Sequence, residues 1–236
     1  MKQETRTNGE VPVDNETKSL FERVRDDQEI REFLILSDEH LGAIGYTEHG
    51  ARHGTRVGKW AKTILEELDH SPEDCELAFI SGYLHDIGNF ICREDHGQTG
   101  ANLLFPILRR YGLTGRRLGL VLSAVGNHEE QYGKVYNNIC AAVMISDKSD
   151  VHRSRVREYD PSLDDIHDNV NYAVTKSKLI IEKDVREIRL DLTIDTSIAS
   201  VMDYFEIFME RMVMCRRASN YLGCSFSIVC NGLKIG

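Results

Sequence analysis

Apolar side chains recur every three or four residues along most of the first two thirds of the chain, a spacing typical of amphipathic helices. The pattern predicts a short helix that begins near Ser19, followed by six longer helices. Their predicted ranges are Asp26–Leu41, Thr47–Leu68, Pro72–Leu84, Asp95–Leu108, Leu113–His128 and Asn138–Arg157. Ser71 is expected to cap the third of them.

The pattern changes after about Asp160. Alternation of apolar and polar residues predicts strands, because successive side chains of a strand point to opposite faces of the sheet. These strands are expected near residues 172–174, 178–182 and 187–194. A long amphipathic helix is expected from Ile198 to Leu222, and Asn231-Gly232 predicts a hairpin turn between two closing strands.

The predicted elements describe a mainly α protein with three parts. Residues 1–16 are polar and are expected to form a disordered lead-in. Residues 17–160 are expected to form a helical bundle domain, and residues 168–236 a small C-terminal α+β extension of the order β-β-α-β.

The composition is that of an ordinary globular protein, with 41% hydrophobic and 28% charged residues. The formal net charge of -9 argues against a nucleic-acid partner, which normally requires a basic face. The six cysteines form no CxxC pair and lie mostly in apolar runs, as expected of buried thiols in a reducing compartment. The sequence shows no signal peptide and no membrane-spanning run, so we expect a cytoplasmic protein without a membrane partner.

Candidate chemistry begins with His85 and Asp86, which stand side by side at the end of an apolar helix. A buried carboxylate is costly unless it is paired or binds a cation. Other predicted helices also carry a histidine or aspartate near the point where apolar residues give way to polar ones. The full set of candidate metal ligands is His53, His85, Asp86, His96, His128 and Asp147. Such nitrogen and oxygen donors suit Fe, Mn, Co, Ni or Zn, and the lack of cysteine disfavours a structural zinc site.

Three motifs carry a family resemblance. They are His53-Gly54-Thr55-Arg56-Val57, His85-Asp86-Ile87-Gly88 and Ile145-Ser146-Asp147-Lys148-Ser149-Asp150. In this order and at this spacing they resemble the HD-domain superfamily of metal-dependent phosphohydrolases, and the resemblance covers about half of the chain. It implies a helical HD-domain bundle in which His53, His85, Asp86 and Asp147 hold one divalent metal ion.

The intervening histidines, His96 and His128, are similar to those of the binuclear branches, which include HD-GYP-type phosphodiesterases and bacterial dinucleoside tetraphosphatases. The resemblance implies a second metal ion held by these two residues, with Asp86 as the bridge. The chain departs from the HD-GYP pattern because Gln131-Tyr132-Gly133 replaces Gly-Tyr-Pro, one histidine replaces the usual pair, and Asn89 replaces a lysine. These departures argue against cyclic di-GMP as the substrate but not against phosphohydrolysis.

The expected activity is hydrolysis of a phosphomonoester or phosphodiester of a small phosphorylated compound, in particular a nucleotide. A divalent ion lowers the pKa of a bound water toward about 7, so that hydroxide attacks phosphorus at neutral pH. Asp86, Lys148 and Arg153 are the expected catalytic residues. Positive side chains suit phosphate binding, and the candidates for substrate contact are His49, Arg56, Lys148, Arg153 and Arg155. We expect the last three to follow Asp147 on the same helix.

The alternative function is that of a catalytically inactive HD module, which binds a nucleotide or a metal ion as a sensor or partner-binding domain. Plainer interpretations also apply to single residues. His49 is as compatible with support of a ligand or opening of a helix as with phosphate contact, and Glu129 is expected to be a solvated charge. The methionines at positions 202, 209, 212 and 214 are expected in the core or in a homodimer interface.

Overall fold

The structure, a computed structural model, describes residues 18–131, 133–159 and 166–235. The lead-in predicted for residues 1–16 lies outside the described residues. Within these ranges the fold is mainly helical with a small C-terminal sheet, as the sequence predicted.

Nine α-helices lie in the described ranges. They are α1 (Leu20–Arg25), α2 (Gln28–Ala43), α3 (Ala51–Glu67), α4 (Pro72–Leu84), α5 (His96–Arg109), α6 (Gly115–Gly126), α7 (Asn138–Lys148), α8 (Ile166–Ala173) and α9 (Val201–Tyr221). Side chains of Ser19, Asp27, Ser71 and Asn137 accept a backbone hydrogen bond in the first turn of α1, α2, α4 and α7. These caps explain why the helices begin where they do, because the first N–H groups of a helix have no partner within it.

The seventh helix, α7, is shorter than predicted. It ends at Lys148, and Arg153–Arg155 forms a separate 3-10 turn. The chain leaves the helix so that the Asp150 carboxylate reaches His53, with Oδ2 2.7 Å from Nδ1. The prediction that Arg153 and Arg155 continue the helix that carries Lys148 is therefore wrong.

Four strands follow α8 and form one sheet. They are β1 (Val174–Glu182), β2 (Glu187–Ile194), β3 (Ser225–Cys230) and β4 (Leu233–Ile235), in that spatial order. The β1–β2 and β3–β4 pairs are antiparallel, whereas β2 and β3 are parallel and are connected through α9. Asn231 and Gly232 have φ angles of 49° and 83°, which suit the predicted tight turn.

One predicted strand segment is helical. Tyr172 and Ala173 end α8, and the strand β1 begins only at Val174. The helix continues to this point because Val170 and Ala173, one turn apart, are both buried on one face. A period of three residues, rather than two, therefore governs this segment.

The helices α3 and α4 pack antiparallel with their backbones in close contact. A Cβ atom at Gly58 would lie 2.7 Å from the carbonyl oxygen of Phe79, and one at Gly54 would lie 2.6 Å from that of Tyr83. Larger residues would force the helices apart. The pairing places the first turn of α3, which carries His53, beside the last turn of α4.

The helix α7 lies against α3, α4 and α6 and is buried along almost its whole length. Its other side packs on α9, so one hydrophobic core extends from the helical bundle into the C-terminal part. Within α9, Met212 and Met214 belong to this core, whereas Met202 and Met209 are exposed. The domain boundaries proposed from the sequence stay a prediction.

The sequence also generated expectations about buried thiols and about membrane-spanning segments. Five cysteines are buried and only Cys92 is exposed. Among the described residues, no helix combines the length and the apolar character that a membrane crossing requires.

The close approach of α3 and α4 generates a stability prediction. We expect Gly58→Ala to lower the free energy of unfolding by about 1–3 kcal/mol, because the added methyl group overlaps the α4 backbone. Gly119→Ala is the matched control, since a Cβ there meets no atom within 4 Å. It should raise stability by about 0.5–1 kcal/mol through helix propensity. Urea denaturation followed by circular dichroism measures both values, and equal effects of the two substitutions would contradict the packing described here.

Candidate metal centre

All six predicted ligands meet at one place, each delivered by the end of a helix. His53 lies in the first turn of α3, and His96 is the first residue of α5. His85 and Asp86 follow α4 directly, and His128 lies just beyond α6. Asp147 stands in the last turn of α7. All are buried except Asp147, which is half-buried.

Each of the four imidazoles is oriented by an acceptor at Nδ1. In three of them this acceptor is a backbone carbonyl at a helix end or in a loop: Gly82 for His85, Arg93 for His96 and Val125 for His128, at 2.6–3.0 Å. In the fourth, His53, the acceptor is the carboxylate of Asp150. A neutral ring that donates from Nδ1 carries its lone pair on Nε2. All four Nε2 atoms are therefore available as ligand atoms on the inner side.

The two oxygens of Asp86 face different imidazoles. Oδ2 lies 3.1 Å from His85 Nε2 and 3.7 Å from His53 Nε2. Oδ1 lies 3.2 Å from His96 Nε2 and 3.7 Å from His128 Nε2. Asp86 therefore stands between two pairs of nitrogen donors.

The outer carboxylate, Asp147, belongs to the first pair of donors. Its Oδ1 lies 3.3 Å from His53 Nε2 and 3.5 Å from His85 Nε2. Its other oxygen, Oδ2, lies 2.7 Å from the ammonium group of Lys148. The lysine thus fixes one oxygen and leaves the other for the cluster.

The Nε2 atoms of His96 and His128 lie only 2.9 Å apart. With both rings donating from Nδ1, two lone pairs face each other at this distance, an arrangement that a shared cation would stabilise. The other pair also lacks partners, because His53 Nε2, His85 Nε2 and Asp86 Oδ2 are buried without an aligned hydrogen bond among the described residues. Imidazole nitrogens and carboxylate oxygens without partners are the ligand atoms that divalent transition metals bind.

The electrostatics of the cluster favour a cation. Burial opposes ionisation of Asp86, but His85, His128 and His96 outweigh it and hold the pKa of that carboxyl well below its usual range. Burial likewise opposes the charge of Asp147, yet Lys148 and His85 keep its pKa well below the usual value. Burial would lower the pKa of His85, but the two aspartates raise it to about 10. The cluster therefore attracts positive charge, which a proton or a metal ion can supply.

Asn89 and Glu129 contact the candidate ligands and support them. Asn89 donates from Nδ2 to the Asp86 carbonyl and to Oδ1, at 2.9 and 3.0 Å. The carboxylate of Glu129 accepts from the Gly97 N–H at 2.7 Å and lies 3.2 Å from His96 Nδ1. The expectation that Glu129 is a solvated charge is therefore wrong, because its side chain is only 13% exposed.

The buried carboxylate Asp150 is the support that the sequence reasoning missed most clearly. Besides His53, it lies 3.0 Å from Arg56 Nε and 4.0 Å from Arg155 Nε. Burial disfavours its charge, but the hydrogen bond to His53 and these arginines hold its pKa well below the usual range. Its position three residues after Asp147 was the available signal, which the prediction of a continuous helix concealed.

The predicted substrate-binding residues do not share one location. Arg56 stacks on Trp60, with its guanidinium carbon 4.4 Å from the ring centroid, and supports Asp150. Arg153 lies over Tyr172 and within 3.9 Å of Asp195, and none of its described contacts is with the six candidate ligands. Lys148 pairs with Asp147 and Glu130. His49 and Arg155 line a cavity beside the cluster.

Two further arginines near the cluster had no signal in the sequence. Arg93 Nη1 lies 3.3 Å from His96 Nε2 and donates to Asn89 Oδ1 at 3.1 Å. Arg211 of α9 lies far from the motifs along the chain, but its Nε is 3.0 Å from Glu130 Oε1. Tertiary packing brings Arg211 to the centre, whereas Arg93 is already close to His96 along the chain.

Comparison with known proteins places this geometry in context. The HD domain family model matches residues 50–206. The chain is 26% identical over 219 residues to "Uncharacterized protein MJ1020" of Methanocaldococcus jannaschii, and the match covers 83% of each protein. The crystal structure of a predicted HD superfamily hydrolase from an uncultured Thermotogales bacterium shares 21% identity and a TM-score of 0.40. That match covers 57% of this chain and 75% of the other.

The support of His53 by Asp150 generates a prediction for metal affinity. We expect Asp150→Asn to weaken binding of a divalent metal about 10- to 100-fold, because a carboxylate partner fixes the ring and raises its basicity. Asp191→Asn on β2 is the matched control, since Asp191 pairs with Arg189 away from the cluster. Competition with a fluorescent chelator measures the affinities. Equal affinities for the two variants would exclude the supporting role of Asp150.

Proposed function

The chain belongs to the HD-domain family, and we propose that it is a phosphohydrolase that uses two divalent metal ions to cleave a phosphomonoester or phosphodiester of a nucleotide. Membership of the family supports a metal-dependent hydrolase in general. We further propose that two ions are bound, that the reaction takes place at phosphorus and that the substrate is a nucleotide.

The observation that carries the proposal is the position of Asp86 between two pairs of inward-facing imidazoles. One carboxylate oxygen faces His53 and His85, and the other faces His96 and His128. A carboxylate in this position could bind one cation through each of its two oxygens. His53, His85, Asp86 and Asp147 would hold the first ion, and Asp86, His96 and His128 the second.

The ions and the protein have separate tasks in this proposal. When bound, divalent ions lower the pKa of water from about 16 to about 7 and offset the charge of phosphoryl oxygens. Lys148, Asp150 and Asn89 position ligands, since each contacts one of them directly. Lys148 is therefore assigned a positioning role rather than the catalytic role expected from the sequence.

Arg93 is the residue best placed to contact the substrate phosphate at the centre. Its guanidinium stacks over Tyr46, 5.0 Å from the ring centroid, while Asn89 accepts a hydrogen bond from Nη1. This arrangement holds the planar group in one orientation, and guanidinium binds phosphate oxygens in pairs. We assign to Arg93 the phosphate contact that the sequence reasoning gave to Arg153.

A groove of about 1060 Å³ beside the centre supports a nucleotide as the substrate. Its walls include metal-centre neighbours, Glu129 and Glu130, and apolar or aromatic side chains. The latter are Tyr46, Val135, Met144, Met209, Val213, Met214 and Tyr221. Charged and polar side chains share this wall with the apolar ones. Such a volume with a mixed wall suits a whole nucleotide, because ligand pockets of roughly 300–1,000 Å³ enclose small organic ligands.

The first test is turnover. Full-length protein supplied with Mn²⁺ or Fe²⁺ is expected to hydrolyse p-nitrophenyl phosphate or its bis ester, and members of a nucleotide panel. Asp86→Ala should reduce kcat/KM by at least about a thousandfold, because both ions lose a ligand. Phosphate release measures the rate, and circular dichroism confirms that the variant is folded. Asp184→Asn, in the exposed turn after β1, is the control that should retain full activity.

One result would contradict the proposal that the protein is an enzyme. Tight binding of a nucleotide without turnover under any of the metals, by a folded wild-type protein, would favour the inactive HD module instead.

The second test is metal stoichiometry. Mass spectrometry of the purified protein after saturation should find about two ions per wild-type chain. His96→Gln with His128→Gln should reduce this to about one, because the first ligand group remains complete. The control is the double variant with His40→Gln and His70→Gln, which changes two histidines outside the cluster and should still bind about two ions. A value of one ion that is the same in all three proteins would exclude the second ion.

A further inference from the structure

A second cavity, of about 290 Å³, lies beside the metal centre and is walled by arginines. Arg93, Arg155 and Arg211 line it, from the segment before α5, the turn after α7 and the helix α9. The groove of 1060 Å³ shares only Tyr46 and Arg93 with this cavity. We call it the arginine cavity.

Each arginine of the arginine cavity is one to three contacts away from a candidate metal ligand. Arg93 lies beside His96. Arg155 Nη1 donates to the carbonyl of Asp150, whose carboxylate holds His53. The six candidate ligands do not line the cavity, but its arginines lie against their immediate neighbours.

Arg211, the cavity arginine of α9, is connected to the metal centre by a chain of ion pairs. Arg211 Nε lies 3.0 Å from Glu130 Oε1, and the ammonium group of Lys148 lies 3.1 Å from Glu130 Oε2. Lys148 in turn pairs with Asp147. Glu130 thus offsets part of the charge of Arg211 but leaves the guanidinium on the cavity wall.

Positive charge is in excess in the arginine cavity. Among its described lining residues, the three arginines face one carboxylate, Asp168, which has interactions of its own. The ring of His49, which also lines the cavity, adds no charge, because burial and Arg155 hold its pKa well below the usual value. A cationic cavity of this size recognises an anionic group.

Arg155 shows the strongest need for an anionic partner. It is only 4% exposed, and its Nη2 atom is buried without a hydrogen-bond partner among the described residues. Burial, and to a smaller extent Arg211, lower the pKa of this guanidinium, although Asp150 opposes them. A buried donor without an acceptor is costly, so an acceptor in the cavity would stabilise the protein.

We propose that the arginine cavity binds a second phosphoryl group of the substrate, one that is not cleaved. This inference rests on the proposed function, because it treats the metal centre as the place where the other phosphoryl group reacts. The substrate class is then an organic compound with two or more phosphoryl groups, such as a nucleoside polyphosphate. Its anionic end lies in the arginine cavity, and its apolar or planar part lies in the groove beyond Tyr46 and Arg93.

The closing experiment compares binding of inorganic pyrophosphate and inorganic phosphate to the full-length protein with its metal ions, by isothermal titration calorimetry. In this proposal pyrophosphate occupies the metal centre and the arginine cavity together, whereas phosphate occupies only one of them at a time. We expect Arg211→Gln and Arg155→Lys to reduce the affinity ratio, pyrophosphate over phosphate, at least about tenfold, because a charge-assisted hydrogen bond is lost. Arg216→Gln, an exposed residue of the same helix, should leave the ratio unchanged.

The outcomes separate this inference from the proposed function. An unchanged ratio in Arg211→Gln and in Arg155→Lys would overturn the second phosphoryl site, even if the protein hydrolyses p-nitrophenyl phosphate. A reduced ratio in both variants would support the site, even if no ester is hydrolysed and the phosphohydrolase proposal fails. Arg211 is half-buried at the surface of α9, so its variant keeps the test valid if Arg155→Lys does not fold.

Discussion

The buried carboxylate of Asp86 is the constraint on which the rest of the centre depends. Its charge is kept from solvent, and the imidazoles on both sides, together with a hydrogen bond from Asn89, compensate it. Those imidazoles come from the ends of α3, α4, α5 and α6, so four helix ends must hold fixed positions relative to one carboxylate. Backbone carbonyls orient three of the rings locally, and the carboxylate of Asp150 orients the fourth, His53.

Close helix packing provides the larger-scale support. Gly54 and Gly58 let α3 lie against the α4 backbone, and this brings His53 to His85, whose ring centroids are 5.1 Å apart. The buried helix α7 then positions Asp147 against both. Protein interiors are packed as densely as organic crystals, so a shift of one helix cannot be absorbed locally. The same packing that stabilises the fold therefore fixes the distances between the donor atoms.

The sequence predicted most helices and the six residues that cluster in the structure, because each of these residues interrupts a helical apolar pattern at its end. It could not predict the Nδ1 acceptors, since backbone carbonyls leave no mark in a sequence. Asp150 was visible in the motif after Asp147, but an incorrect helix boundary concealed its role. Arg211 could not be identified, because nothing local to α9 indicates that it faces a cavity whose other walls lie mostly between Ile44 and Asn171.

The helix α9 supplies none of the candidate ligands, yet it forms a wall of both the groove and the arginine cavity. The candidate donors lie between His53 and Asp147, whereas Val201–Tyr221 adds walls to both cavities but no donor. Mutations in this helix can change the shape and charge of both cavities without removing a donor atom. Divergence among proteins with the same set of donors can therefore proceed through the C-terminal helix while the chemistry at the centre stays constant.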